Sequence, residues 1–390
     1  MPPCVGVPSR LLGPRFAKPS VRLSGQARFV QFDGAQEYHV RDDDEDGQTR
    51  PLLSDVSPDT PPPTRGQVQT LVEFLTQHRN VTVITGAGMS TESSIPDYRS
   101  AKGAYSSGFK PMTHQQFMLG PENRRRYWAR SFVGWQEFAH AEPNDGHHAL
   151  TELQRRAFVT SILTQNVDRL HQRAGSRHVI EMHGTTHEVI CLDCGHLQDR
   201  HSFQDNLRSL NPAALAYVEA NTRPARVRAG TAADARAMVS GNKIRSNGHD
   251  NSSSSGIGGG GDRKDIRPDG DVELGEKSSL YNGFQVPPCR SCQKGILKPN
   301  VVFFGDNMPS ERKHAAAKAV DDADAVLVLG SSLMVYSAFR LIRAAKGAAK
   351  PVGCVTVGET RADDLLDFKI ETRVGELLAR VSRDPALIRT

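Results

Sequence analysis

The chain is most informative first for what it lacks. Its 390 residues include only two tryptophans and six cysteines. No stretch approaches the ~18 consecutive apolar residues of a membrane helix, so no membrane is expected among its partners. The net charge of +5 is modest. No dense Lys/Arg block with interleaved aromatics occurs, so nucleic acid is not an expected partner either. Four of the six cysteines fall in two CxxC pairs, and without a secretory signal that spacing reads as metal before disulfide. Residues 1–32 contain no Asp or Glu, while they hold Arg10, Arg15, Lys18, Arg22 and Arg28. An acid-free, Arg-rich segment with interspersed apolar residues resembles a mitochondrial transit peptide, although Pro8, Pro14 and Pro19 work against an amphipathic helix.

What is present begins with a spacer. Residues 33–65 carry the acidic run Asp42 to Asp46 and the prolines Pro61, Pro62 and Pro63. Such a segment buries too little apolar surface to offset its ordering entropy, so a disordered linker is expected, with folding from about residue 66. Beyond it, helix and strand patterns alternate. Val68, Leu71, Val72 and Leu75 recur at helical spacing, and Val81 to Thr85 reads as a buried strand. A helix over His147 to Arg156 follows the start signal Pro143-Asn144-Asp145. Phe158 to Leu163, Ala325 to Leu329 and Val352 to Val357 read as strands, and Ser310 to Val320 and Tyr336 to Lys346 as helices. Continuous apolar strands between helices predict an α/β fold: a Rossmann-like parallel sheet with helices on both faces. Residues 195–288 break this rhythm. Four consecutive serines and four consecutive glycines mark a low-complexity insert, expected to be disordered over about 221–267.

Four chemical signals stand in order along the chain. Gly86-Ala87-Gly88-Met89-Ser90-Thr91 follows a strand, where glycines allow close backbone approach to a pyrophosphate and a following helix N-terminus favours the anion. The usual third glycine is missing. Instead Ile95-Pro96-Asp97-Tyr98-Arg99 brings a carboxylate, a phenol and a guanidinium behind the loop; a tight turn with an ion pair is the plainer alternative. Gln165-Asn166-Val167-Asp168 lies at the carboxyl end of a strand, where open α/β sheets bind ligands and where Asn and Asp can meet sugar hydroxyls or a carboxamide. His171 just beyond it reads as a packed or surface residue. His183, among 14 histidines, is the best acid/base candidate because of its position between that turn and the cysteines. Cys191-x-x-Cys194 and Cys289-x-x-Cys292 predict one closed, tetrahedral and therefore structural zinc site in a small zinc-ribbon domain spanning about 185–300. His187 is not needed as a ligand. Cys4 falls in the leader, and Cys354 falls in an apolar run, as core residues do. Gly330-Ser331-Ser332 ends the strand Ala325 to Leu329 and can meet phosphate or ribose.

Taken together, Gly-Ala-Gly-Met-Ser at 86–90, Ile-Pro-Asp-Tyr-Arg at 95–99, Thr-Gln-Asn-Val-Asp at 164–168, His183-Gly184, the paired cysteines and Gly-Ser-Ser at 330–332 resemble the sirtuins, the NAD-dependent protein-lysine deacylases. The resemblance covers about 66–380 apart from the insert, within a catalytic domain expected over 66–390. Arg126 to Arg130, Phe132 to Trp135, Pro268 to Val272, Lys298 to Asp306 and Thr360 to Leu365 are similar to the mitochondrial sirtuin-4 subgroup. That subgroup, like the basic leader, implies the mitochondrial matrix, with acyl-lysine metabolic enzymes as partners.

The resemblance implies roles residue by residue. Gly86, Ala87, Gly88, Met89, Ser90 and Thr91 would hold NAD as co-substrate, with Pro96, Asp97, Tyr98, Arg99, Tyr105, Gln165 and Val167 around it. Asp97, Asn166 and Asp168 would meet the nicotinamide end, with Asn166 and Asp168 taking part in catalysis. His183 would act as general base on a ribose hydroxyl. Val301, Val302 and Phe303 would pair with the substrate backbone as an added strand, their side chains flanking the acyl-lysine. Gly330, Ser331, Ser332, Thr356, Val357, Gly358 and Val374 would bind the adenosine side. Two positions depart from the family: Thr356 stands where Asn is usual, and Val374 where the subgroup has Cys. A Tyr-x-x-Arg device for acidic acyl groups is missing, since Gly108 lies three residues after Tyr105. The subgroup resemblance implies longer or branched acyl groups, lipoyl or biotinyl removal, or mono-ADP-ribosyl transfer from the same site. A weakly active NAD-binding sensor or scaffold is the alternative of another class.

Overall fold

The computed structural model describes residues 60–100, 103–221, 266–275 and 278–388. The expected leader, Cys4, almost all of the expected linker and most of the expected insert lie outside these residues. The linker's last residues are anchored. Pro63 is buried, its carbonyl accepts from Arg380 at 2.9 Å, and Thr64 caps the first helix in a reciprocal capping box with Gln67. Folding thus begins slightly earlier than the composition implied, because these prolines lie on the chain's last helix.

The first half runs α1 (Arg65–Gln77), β1 (Val81–Thr85), α2 (His114–Leu119), α3 (Pro121–Ala139), α4 (Asp145–Arg155), β2 (Val159–Thr164), α5 (Leu170–Arg173), β3 (Val179–Glu181), β4 (Gly184–Cys191), β5 (Leu197–Asp199), α6 (Arg200–Leu210) and α7 (Pro212–Asn221). The second half runs β6 (Leu297–Val301), α8 (Ser310–Asp321), β7 (Ala325–Leu329), α9 (Tyr336–Gly347), β8 (Val352–Val355), β9 (Phe368–Ile370) and α10 (Val374–Val381). Six strands form a wholly parallel sheet in the order β3-β2-β1-β7-β8-β9. The central strands β1 and β7 are buried along their whole length, as continuous β-branched and Leu runs require when helices cover both faces. One face packs against α1, α4 and α10, with Leu71, Leu75, Leu150 and Leu378 in its core. The other packs against α8 and α9, where Cys354 is a fully buried core residue. The last predicted strand ends at Val355, and Thr356 to Gly358 form the turn beyond it.

The smaller unit is a three-stranded antiparallel sheet, β5-β4-β6. Its core is aromatic: Tyr127, Trp128, Phe132, Trp135 and Phe138 of α3 meet Phe203 of α6, Phe284 and Phe303. It therefore draws on α3, far upstream of the cysteines, and reaches beyond the expected 185–300. Ile266 and Arg267, assigned to the disordered insert from composition, are instead buried and ordered. Ile266 bridges Val272 in a hairpin over 266–272 that packs on α3. Asn221, at the other end of the assigned insert, closes α7.

Candidate active site

The order of the parallel strands reverses between β1 and β7, and the chain's chemistry collects at the carboxyl ends of these two strands. Gly86 N–H donates to Leu329 O at 3.1 Å, and Gly88 N–H to Gly330 O at 2.9 Å, so the two turns lie against each other. The contact leaves no room for side chains. A Cβ on Gly88 would lie 2.9 Å from Gly330 Cα. One on Gly330, which has φ +59°, would lie 2.4 Å from Met89 N. The glycines thus let the two strand ends pack backbone to backbone, closer than any side chain would allow.

One expectation about this loop fails. No α-helix follows it; two short 3-10 turns, Ala87–Met89 and Thr91–Ser93, do. Gly86, Gly88, Met89 and Ser90 all spend their N–H groups on backbone carbonyls. The loop offers a ligand space and side chains in place of a helix N-terminus. Those side chains are engaged. Ser90 Oγ donates to Asp168 Oδ2 at 2.7 Å, and Asn166 Nδ2 donates to Gly86 O at 3.1 Å and Ser90 Oγ at 3.0 Å. Gln165 Nε2 donates to Ser331 Oγ at 2.8 Å, joining the end of β2 to that of β7. Burial raises the Asp168 carboxyl above the usual carboxylate range, against bonds from Leu170 N–H and Ser90. The predicted residues 86–90, 165–168 and 330–331 therefore form one constellation.

The second cluster folds behind them. Asp97 Oδ1 accepts from the N–H groups of Arg99 and Ser100, so Asp97 caps its own turn without a salt bridge to Arg99. The Arg99 guanidinium lies over the Tyr105 ring at 5.4 Å, and Tyr105 lies 5.5 Å from Tyr98. Thr91, on the outer side, donates to Gly88 O. On the far side, Thr356 and Val374 are buried, and Gly358 turns with φ +81°.

His183 sits where β3 passes into β4. Its Nδ1 lies 3.0 Å from Gln165 O and its Nε2 2.8 Å from Ser337 Oγ. A backbone carbonyl only accepts, so Nδ1 carries the proton and Nε2 presents its lone pair. Burial pulls the His183 pKa below 6.5, and the nearby Arg312 guanidinium acts in the same direction, against the Gln165 carbonyl bond. Gly184, at φ +80°, is pressed against Asn300 O and Arg312. His183 O accepts from Val302 N–H at 2.8 Å, tying the histidine to the chain after β6. Phe303 points elsewhere than expected: its ring is buried between Phe117 and Tyr127, so its backbone alone can face a substrate. Two site residues had no sequence signal. Ser337 lies 154 positions from His183, and Arg312 sits on a helix whose pattern marked only its apolar face.

The four predicted cysteines converge. Their sulfurs all lie within 4.8 Å of one another, with Cys191–Cys292 and Cys194–Cys289 at 3.7 Å. Thiolates around tetrahedral zinc at ~2.3 Å lie about 3.8 Å apart, while a disulfide needs about 2 Å, so the cluster fits zinc and not a bridge. Gly295 N–H donates to Cys292 Sγ at 3.3 Å, and a Cβ on Gly295 would lie 2.1 Å from Cys191 Sγ. His187 is not a fifth ligand: its Nε2 bonds Asp168 O at 3.0 Å and its ring packs on Trp135.

Comparison with known proteins matches residues 86–337 to the Sir2 family domain. The chain is a member of the Sir2 family. It is 46% identical over 326 residues to the NAD-dependent protein deacylase SRT2 of Arabidopsis thaliana, covering 84% of this chain and 79% of that one. It is 41% identical over 322 residues to the NAD-dependent protein deacylase Sirt4 of Drosophila melanogaster, covering 82% and 88%. Among solved structures, a Sir2 enzyme superposes with a TM-score of 0.54 at 26% identity, covering 82% of this chain and 97% of that one. A Sir2 structure with a p53 peptide and NAD+ gives 0.52 at 26% identity, covering 80% and 96%. This sirtuin thus matches its relatives over the parallel sheet, the glycine turns and the cysteine unit together.

Proposed function

We propose that this sirtuin is an NAD-dependent protein-lysine deacylase in which His183 is the general base. The observation that carries this reading is the forced tautomer of His183. The Gln165 carbonyl holds the proton on Nδ1, and burial favours the neutral ring, so Nε2, which here meets only the Ser337 hydroxyl, is the nitrogen that can take a proton. The glycines at 86, 88 and 330 let the ends of β1 and β7 meet backbone to backbone, and the polar side chains of Ser90, Gln165, Asn166, Asp168 and Ser331 gathered there fit the family's co-substrate NAD. Bound there, NAD would supply an electrophilic ribose carbon with nicotinamide as its leaving group. The chain's own residues then hold and move protons: Asn166 and Asp168 line the nicotinamide end, Ser90 fixes Asp168, and His183 Nε2 takes a hydroxyl proton. Residues 301–303 offer backbone to an extended substrate, and the zinc holds the unit that carries them.

The acyl group is proposed to be longer or branched, such as lipoyl. The support is the replacement of any Tyr-x-x-Arg pair by Gly108, which turns with φ +78°. Mono-ADP-ribosyl transfer is the alternative outcome from the same site. The acid-free basic segment at 1–32 supports the mitochondrial matrix as location, tested by imaging full-length and leader-deleted fusions.

The deciding experiment incubates the full chain with NAD and an acyl-lysine peptide library and follows nicotinamide, acyl-ADP-ribose and labelled protein. Wild type is expected to release nicotinamide with stoichiometric acyl transfer. His183→Ala is expected to lose at least about 10²-fold in kcat with NAD binding retained. Labelled protein without deacylation would move the reading to ADP-ribosyl transfer, and NAD binding without any turnover to a sensor. The base must be neutral and its pKa lies below 6.5, so kcat/KM should be flat at pH 7 and fall only as acid protonates His183.

A further inference from the structure

Two buried histidines beneath the site, His147 of α4 and His171 of α5, play no part in the reading above. Both are essentially inaccessible, and their ring centroids lie 4.8 Å apart with planes inclined at 59°. Their tautomers follow from their partners. The Asn144 N–H donates to His147 Nδ1 at 3.3 Å, so in the neutral ring Nε2 carries the hydrogen. Thr85 Oγ1 donates its one proton to Thr164 Oγ1 at 2.9 Å. It can therefore only accept from His171 Nε2, at 3.0 Å, which leaves His171 Nδ1 a bare acceptor. The two atoms left over, His147 Nε2–H and His171 Nδ1, are a donor and an acceptor, and both are buried with no hydrogen-bond partner among the described residues. Orphaned buried polar atoms are costly, and two complementary ones on adjacent rings, with no direct bond between them, are most simply satisfied together through one internal water.

Both ends of this pair reach the site. From His171 the chain continues through Thr85 and Thr164 Oγ1 to the Asn166 N–H at 3.1 Å. From His147 it continues through Asn144, whose Nδ2 donates to Met89 O at 2.8 Å and Ser93 Oγ at 3.0 Å. We propose that His147 and His171 form a neutral imidazole dyad that positions the Asn166 turn against the Gly86–Ser90 loop. They are positioning residues, since neither touches the crevice, and the proposal rests on the reading of Asn166 as part of the NAD pocket. Burial supports neutrality, pulling His147 to about 2 and His171 to about 4.

The first test is nitrogen-15 NMR of the imidazoles in the full, ligand-free chain at pH 7. Both rings are expected neutral and protonated at Nε2. An imidazolium at either position, or the Nδ1–H tautomer at His171, overturns the dyad. The second test compares His171→Leu, which keeps volume but removes the donor, with His171→Gln, whose amide N–H reaches toward the Nε2 position. His171→Leu is expected to lower kcat about tenfold, the cost of one unmade buried hydrogen bond, with the peptide KM unchanged. It should also shift the Asn166 amide resonance and weaken NAD binding by calorimetry, and His171→Gln should recover most of each. Equal losses in both variants, tracking only their melting temperatures, would reduce the histidines to packing and sink the proposal. If His171→Leu does not fold, the tautomers and the Gln variant decide. Correct tautomers in a wild type without turnover would defeat the deacylase reading and leave the dyad standing.

Discussion

At the scale of single residues, the decisive quantity is the protonation state of His183. Three influences meet at its ring. Burial disfavours the cation most, Arg312 adds repulsion, and the Gln165 carbonyl partly opposes both. Ser337 is a fourth. With Nδ1 protonated, the Ser337 hydroxyl must donate to Nε2 at 2.8 Å, and a bond donated to the neutral form lowers a base's pKa. Ser337→Ala should therefore raise the His183 pKa and move the acid limb of kcat/KM to higher pH, with NAD binding unchanged. An acid limb that stays put or moves down in a pH–rate series would show that the hydroxyl does not donate there. His183 itself was legible in the sequence because its flanks, the Asn166 turn and Cys191, are close along the chain. Ser337 was not, because a hydroxyl on α9 has no local pattern that distinguishes a partner of a remote imidazole from any surface serine. The same holds for His147 and His171, whose pairing depends on how α4 and α5 pack.

Among the elements, the hairpin at 266–272 shows how much a buried ion group can hold. Arg130 of α3 lies 2.7 Å from Asp271, and Arg267 lies 3.6 Å from the same carboxylate, with Asp271 and Arg267 buried and Arg130 mostly so. Arg267 also stacks on the Phe109 ring at 3.7 Å and bonds Glu273. The fit is tight: a Cβ on Gly134 would lie 2.3 Å from Gly270 O. Asp271→Ala would take away the carboxylate that Arg130 and Arg267 share, leaving Arg267 its bond to Glu273, and removing one partner of a buried pair costs about 3–5 kcal/mol. Chemical denaturation of the variant should show a loss of that order; a loss near that of an exposed pair, below about 1 kcal/mol, would mean water reaches the group. Strands and helices of the sheet were readable, because an apolar run such as Ala325 to Leu329 has one stable place in a doubly covered sheet. The hairpin was not, because it adjoins the Ser/Gly-rich stretch and its Arg-Pro-Asp-Gly-Asp sequence has turn composition. Long-range ion pairs, which no local propensity reports, give it order. Similarly α6 carries Phe203 and Leu207 as a narrow apolar stripe in a polar helix, which periodicity alone registers poorly.

The whole molecule is built around separate cores, and the two tryptophans distinguish them. Trp128 and Trp135 both lie on α3 within the aromatic core of the zinc-bearing unit, while the cores on either face of the parallel sheet contain neither. Trp128 Nε1 donates to Leu297 O at 3.0 Å, and the Arg200 guanidinium lies 4.5 Å from the Trp135 ring. Zinc closes the loop between residues 191 and 292, and its binding free energy is folding free energy for whatever it closes. Removing it leaves four thiols at the end of an antiparallel sheet that also carries Cys191 into the aromatic core. Chelation should therefore shift tryptophan emission to the red and abolish deacylation, since Val302 N–H, bonded to His183 O, belongs to the strand end that the zinc unit holds. The parallel sheet, whose core needs no metal, should keep most of its far-ultraviolet circular dichroism. Cys289→Ser should reproduce the same separation without chelator. If both signals were lost together at one chelator concentration, the sheet and the zinc unit would form one cooperative body, and the aromatic core would be a condition for the sheet's own stability.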